Sequence, residues 1–257
     1  MKLTYAVQWV IINDMSGDFT LIKDDRLAAV YDMLGESPTV VDIGCDHGYL
    51  SAALIKGERA KKVIASDISE ASVSKAAKLA ASMGISDRMK TVLADGLDSA
   101  MDIEPPYSIA ICGMGGELIA GILERGRSIA LSAKRIVMQP MRSEAKLRRY
   151  LYENGYRILD ERVVLDEGRY YQIISACPLK GDTIPKGFPK DYFRFGWVMA
   201  SKPEPLLMPL LEHYRSVYEK ELKKAEKRGK KPEKILKEIS STNELIKYVS
   251  ARSEDRV

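Results

Sequence analysis

Between residues 39 and 139 the chain alternates short β-branched apolar runs with segments of helical period, and no other feature constrains its fold so tightly. Thr39-Val40-Val41-Asp42-Ile43-Gly44 opens the series as a run suited to a buried parallel strand. Val63 to Asp67, Met89 to Ala94, Tyr107 to Cys112 and Arg135 to Gln139 read as strands in the same way. Glu70 to Met83 places Val73, Ala76, Ala77 and Ala80 on one helical face, and Glu117 to Arg125 is a further helix. Upstream, Asp24 or Asp25 caps a helix through Leu27, Val30 and Leu34, which Gly35 and Pro38 end. Downstream, Glu144 to Glu153 is helical and closes at Asn154-Gly155. Tyr156 to Leu165 and Arg169 to Ala176 are strand-like, and Asp166-Glu167-Gly168 between them has hairpin-turn chemistry. Five β-then-α units followed by a hairpin predict an α/β fold. Its seven-stranded sheet is mostly parallel, covered by helices on both faces, and closed by antiparallel strands.

Composition shifts after about residue 178, where Pro178, Pro185, Pro189, Pro203, Pro205 and Pro209 punctuate a connector. Leu207, Leu211, Tyr214 and Tyr218 then recur at helical spacing, as do Ile235, Ile239, Thr242, Ile246 and Val249 beyond Gly229 and Pro232. The two stripes predict a short antiparallel, coiled-coil-like helical hairpin. The expected organisation is a disordered leader over residues 1–23, a ligand-binding domain over 24–178, and the connector and hairpin over 179–257. Met15-Ser16-Gly17 would also make a natural start. The apolar run Ala6 to Ile12, broken by Gln8, is far shorter than the roughly 20 residues of a membrane span. No signal-peptide cleavage pattern follows it, so a cytoplasmic protein is expected. Net charge is only +4, which leaves nucleic-acid affinity to local patches. Cys45, Cys112 and Cys177 are scattered with no CxxC spacing and read as reduced core thiols, and with His47 and His213 alone no metal centre is expected.

Ligands of open parallel sheets sit beyond the carboxyl ends of the strands, where strand order reverses. The first such end reads Asp42-Ile43-Gly44-Cys45-Asp46-His47-Gly48-Tyr49. In a dinucleotide fingerprint, G-x-G-x-x-G, the second glycine faces a pyrophosphate; here that position is Asp46, whose carboxylate would repel phosphate. A sulfonium and an α-amino group would be attracted instead, which favours S-adenosylmethionine over NAD. Asp67 ends the second strand, 23 residues after Gly44, the spacing at which a carboxylate takes both ribose hydroxyls. Asp95 ends the third in Ala94-Asp95-Gly96, placed for an adenine amine. Each acid alone also suits a helix cap; three in register point to the ligand. The fourth strand ends in Gly113-Met114-Gly115-Gly116, bare backbone able to hold a planar group. The candidate cofactor residues are therefore Asp42, Gly44, Cys45, Asp46, Gly48, Asp67, Ile68, Asp95, Gly96, Gly113, Met114 and Gly115. Glu104-Pro105-Pro106-Tyr107 has the look of an Asn-Pro-Pro-Tyr signature, but it precedes its strand and lies at the wrong end of the sheet.

The combination of Asp42-Ile-Gly-Cys-Asp-His47, Gly113-Met-Gly-Gly116, Gln139-Pro140 and Asn154-Gly-Tyr156 resembles the bacterial tRNA (adenine-22-N1)-methyltransferase family. The resemblance covers roughly residues 24–177, and family members also carry a C-terminal helical hairpin. It implies a Rossmann-like class I methyltransferase fold and methyl transfer from S-adenosylmethionine to N1 of an adenine in tRNA. Cys45 and Gly48 stand where other small residues are expected.

Adenine N1 has an in-plane lone pair, so transfer needs no prior deprotonation, and the product ring is cationic. Asp46, to steady that cation or accept from the base amine, His47, to hydrogen-bond the base, and Tyr49, to stack on it, are the candidate catalytic residues. Holding RNA requires cations against phosphates. Arg142, Lys146, Arg148 and Arg149 after the fifth strand form one candidate patch. Lys227, Arg228, Lys230 and Lys231 at the hairpin tip form another, which makes the hairpin a tRNA clamp or, alternatively, a dimerisation arm. Two other functions stay open from sequence: methylation of a small molecule or protein, and a non-catalytic module that holds an adenosyl ligand.

Overall fold

A computed structural model describes residues 11–14, 17–20, 22, 24–179, 184, 187–189, 193–229 and 231–254. Near the start, β1 (Ile11–Asp14) and β2 (Gly17–Thr20) pair as an antiparallel ribbon. The sequence pattern predicts no element there, because a four-residue strand carries too little alternation to stand out from an apolar stretch. α1 (Asp25–Leu34) follows. Its cap is Asp24, whose carboxylate accepts the Arg26 backbone N–H at 2.7 Å, an arrangement worth about 1 kcal/mol.

The strands of the main sheet are β3 (Ser37–Ile43), β4 (Ala60–Asp67), β5 (Met89–Leu93), β6 (Tyr107–Met114), β7 (Arg135–Pro140), β8 (Tyr156–Asp166) and β9 (Arg169–Pro178). They lie in the order β5-β4-β3-β6-β7-β9-β8. β3 to β7 are mutually parallel, while β9 runs antiparallel to both β7 and β8. The connections are α2 (Tyr49–Lys56), α3 (Glu70–Ser82), α4 (Gly116–Arg125) with the short α5 (Arg127–Ala130), and α6 (Glu144–Glu153). α1, α2 and α3 pack on one face against Val40, Val63, Ala65, Ala110 and Val137. The alternate residues Val41, Ile43, Ile109, Ile111, Ile136 and Met138 are equally buried on the other side, where α4 and α6 pack together. Burial on both faces is why these strands are continuous apolar runs rather than alternating ones.

One expected unit departs from the pattern. After β5 the chain makes a single 3-10 turn, Gly96–Ala100, in place of a helix. Only a few residues separate that turn from Pro105-Pro106, and proline cannot continue a helix. β6 also runs two residues further than expected, with a register shift between Cys112 and Met114. Gly113 and Met114 are therefore strand residues at its carboxyl end.

Under β8 and β9 a charged group is fully buried. Arg148 on α6 donates to Glu161 Oε1 and Gln172 Oε1, each at 2.6 Å, and neither charged side chain is exposed. This corrects its place in the sequence-derived basic patch: a guanidinium committed to a buried carboxylate cannot meet a phosphate.

The chain divides into two compact units, residues 1–182 and 183–257. The second holds α7 (Trp197–Ala200), α8 (Leu207–Lys227) and α9 (Glu233–Glu254). α8 and α9 pack on each other with Leu207, Leu210, Leu211, Thr242 and Leu245 buried. Arg194 is caged there by the rings of Phe195, Tyr214 and Tyr218 and pairs with Glu238. None of the described helices is long and apolar enough to cross a membrane.

Candidate active site

Strand order reverses at β3, which has β4 on one side and β6 on the other. The loop leaving β3 carries three positive φ angles in five residues: Gly44 at 73°, Asp46 at 49° and Gly48 at 78°. Gly44 tolerates its angle, and a side chain there would collide with Met114 Cε. The amides of Gly44 and Cys45 both donate to Ser66 O, at 2.8 and 2.9 Å, which ties the loop to β4. Gly48 then begins α2.

This geometry gathers three carboxylates. Asp42 is buried and accepts Ser51 Oγ–H from α2 at 2.7 Å. Burial raises its carboxyl to about 6, against the opposing Ser51 hydrogen bond and with help from the negative charge of Asp67. Asp67 accepts the backbone N–H of Asp46 at 3.2 Å and that of Ser69 at 2.9 Å. Asp46 is exposed, and its Oδ2 lies 2.7 Å from His47 Nδ1. His47 stacks on Tyr49, ring centroids 5.7 Å apart and planes nearly parallel. Among the described residues no lysine or arginine pairs with Asp42, Asp46 or Asp67. The thiol of Cys45, buried among these acids, is pushed up to about 12, chiefly by burial. Cys112, at the end of β6, is pushed up further by burial, so both are inert core thiols at neutral pH.

The remaining sequence-derived positions fall at the same edge. Ile68 is largely exposed beside Asp67. Asp95 makes no capping hydrogen bond to the turn that follows it; its Oδ1 pairs with Arg125 Nη2 at 3.2 Å, both side chains being exposed. A side chain at Gly96 would press on Ile122. A Cβ at Gly113 would meet nothing within 4 Å, so this backbone, at φ 74°, faces open space. Its N–H donates to Gln139 Oε1 at 3.1 Å. Gly115 lies under the Arg142 guanidinium, and Gly116 N–H donates to Arg142 O at 2.8 Å. Tyr107, after Pro105-Pro106, is buried at the opposite end of β6.

The basic residues fare unequally. Lys146 pairs with Glu117, and Arg149 lies 3.8 Å from Glu153. Arg142 is exposed beside Gly115. In the second unit Lys227, Arg228 and Lys231 are exposed, and Lys230 lies outside the described residues. Sequence reasoning missed Ser51, Arg125 and Gln139 as partners of site groups. No spacing rule marks them, because each reaches its partner from a different element.

The methyltransferase-domain family model matches residues 23–174. Over 229 residues, 87% of this chain and 95% of the relative, the sequence is 28% identical to the tRNA (adenine(22)-N(1))-methyltransferase of Bacillus subtilis. The solved m1A22 tRNA methyltransferase of B. subtilis superposes with a TM-score of 0.72 at 26% identity, over 88% of this chain and 99% of that one. A Streptococcus pneumoniae protein solved with S-adenosyl-L-methionine gives a TM-score of 0.76 at 25% identity, over 86% and 98%. With the sheet order, the acid-lined strand ends and a family match over more than half its length, this chain belongs to the methyltransferase-domain family.

Proposed function

We propose that the chain transfers the methyl group of S-adenosylmethionine to N1 of an adenine in tRNA. The observation that carries this is the cluster of Asp42, Asp46 and Asp67 around the Gly44 loop, without a compensating lysine or arginine among the described residues. Such a mouth is complementary to a ligand with a sulfonium and an ammonium group and repels a diphosphate. The backbone fits as well: Gly44 holds a φ of 73° that glycine adopts freely, and Gly113 presents bare backbone to open space. Asp67 retains acceptor capacity for ribose hydroxyls beyond its two amide bonds. We assign Asp95, exposed at the same edge beside Arg125, to the adenine amine and Ile68 to the ring.

S-adenosylmethionine supplies an electrophilic methyl group on sulfur. The residues of the chain supply position and charge. Asp46, held near His47 and outside the core, faces the side from which a base arrives and steadies the positive charge that develops on the methylated ring. His47 and Tyr49, stacked together, offer a flat edge against which an extruded base is held. Orienting the ring nitrogen along the line of attack accounts for much of the rate such an enzyme needs, and no general base is required. Arg142 and the exposed tip residues Lys227, Arg228 and Lys231 bind phosphates, with Lys146 and Arg149 contributing less because acids pair with them. We assign the α8–α9 hairpin to holding tRNA; a dimerisation arm is the competing role, separated by the mass of the protein in solution with and without α8–α9. We place the reaction in the cytoplasm, where tRNA is modified.

The test is incubation of the protein with bulk tRNA and methyl-labelled S-adenosylmethionine, followed by mapping of the modified nucleoside. N1-methyladenosine at one position is expected. Label that appears only in small molecules or proteins would overturn the assignment, and tight ligand binding with no transfer to any RNA would reduce the chain to a binding module.

A further inference from the structure

Beside the ligand loop, on the far side of β6, one cation is held in a way that its role in folding does not explain. Arg26 lies in the first turn of α1, yet its side chain reaches the carboxyl end of β7 and the β8–β9 turn at the amino end of β9. Nε donates to Asp24 Oδ1 at 3.0 Å, and Nη2 pairs with Asp24 Oδ2. Asp166, at the β8–β9 turn, lies 3.5 Å from Nε. The ring of Tyr171 backs the guanidinium, 4.8 Å from its centroid. Two acids and an aromatic face thus fix the plane of the group.

Nη1 is treated differently. Among the described residues its partner is Met141 Sδ, at 3.5 Å. A thioether is a weak acceptor and does not satisfy a cationic donor. Met141 is itself exposed, and its sulfur also faces Gln139 Nε2 at 3.6 Å. The oxygen of the same Gln139 amide holds the Gly113 N–H. Arg26, Met141, Gln139 and Gly113 therefore form one connected wall along the carboxyl ends of β6 and β7, next to the opening that Gly113 faces. That stretch adjoins the Gly44 loop, so it borders the place where the acceptor must sit.

We infer that Arg26 is a positioning residue for the acceptor nucleoside, with Nη1 donating to a neutral acceptor, a ring nitrogen or ribose oxygen, of the adenosine being methylated. This rests on the proposed function. A phosphate is the poorer match, because Asp24 and Asp166 already compensate the positive charge. A neutral acceptor asks only for a fixed donor direction, which the two acids and Tyr171 provide. Replacing the Met141 sulfur with nitrogen or oxygen on binding improves the hydrogen bond, so the contact favours the bound base over the empty site.

The experiment compares R26K and R26A with the unaltered protein in kcat, KM for tRNA, S-adenosylmethionine affinity by calorimetry, melting temperature, and the salt dependence of tRNA binding. A hydrogen bond from a charged donor is worth about tenfold to a hundredfold. We expect kcat/KM for tRNA to fall by about that factor in both variants. S-adenosylmethionine affinity should stay within twofold and the salt slope should not change. R26K carries the test if R26A does not fold, since lysine keeps the charge and loses the planar donor. Turnover within threefold of normal overturns the inference. So does cofactor affinity that falls in step with turnover, or loss of fold in both variants, because either makes Arg26 a structural staple. A salt slope smaller by about one would identify a phosphate contact and overturn it as well. If the unaltered protein leaves tRNA unmethylated, both this inference and the proposed function fall; methylation that R26K leaves intact sinks Arg26 alone.

Discussion

Asp42→Asn is expected to stabilise the chain while weakening its hold on the cofactor. Burial raises the Asp42 carboxyl from 3.8 to about 6, so the folded chain binds this proton more tightly than the unfolded chain does. Stability from the proton is fully present below pH 3.8, falls as pH rises through 6, and is lost above it. The difference of about two pH units corresponds to about 3 kcal/mol of destabilisation at pH 8, at 1.36 kcal/mol per unit. Asparagine has nearly the same shape, carries no charge, and keeps an oxygen for the Ser51 hydroxyl. The variant should therefore be more stable than the parent at pH 8 by about 3 kcal/mol, with a clearly smaller gap at pH 5. Urea unfolding of both proteins at the two pH values measures it, and the comparison cancels every other titrating group. Calorimetry with S-adenosylmethionine should show weaker binding to the more stable protein. A gap that does not change with pH, or an asparagine variant less stable at pH 8, would refute the claim that an ionised carboxylate is held here at a cost.

Asp67→Ala should abolish measurable S-adenosylmethionine binding, whereas Asp46→Ala should keep much of the binding and lose turnover; normal turnover in the second would remove Asp46 from the mechanism. Arg148→Ala should destabilise by about 3–5 kcal/mol in thermal or denaturant unfolding, because it leaves Glu161 buried without its partner. An Arg148→Met, Glu161→Leu pair should recover most of that loss, and failure to recover would mean the charges themselves are required. Reversing Lys227 and Lys231 to glutamate should weaken tRNA binding and flatten its salt dependence, by about one in slope per lost phosphate contact, while cofactor affinity stays unchanged. An unaltered slope would take the α8–α9 tip out of RNA binding.

Much of this molecule was legible from order along the chain. β-branched runs on a fixed alternation with helices leave few alternatives to a doubly wound parallel sheet, because a strand buried on both faces cannot carry a polar side. The acids at residues 42, 46, 67 and 95 could be located because each lies close to the carboxyl end of a strand, and those ends of a parallel sheet share one edge. The missing third helix was harder to see: Pro105-Pro106 shortens the segment, and a five-residue turn has no periodicity to detect. The ribbon β1–β2 was missed for a related reason, since four-residue strands carry too little pattern.

Charge bookkeeping was what sequence could not do. Arg148, Lys146 and Arg149 look alike on one helix, yet the first is sealed against Glu161 and the others face acids at the surface. Arg26 had no mark at all, and its importance comes from partners more than a hundred residues away, Met141, Asp166 and Tyr171, brought together where α1 crosses the ends of β7 and β9. Local pattern determines which elements form, because hydrogen bonding and side-chain period act within a few residues. Which charge meets which is decided only when the sheet closes, since solvation and Coulomb energy depend on distance in space and not on separation along the chain.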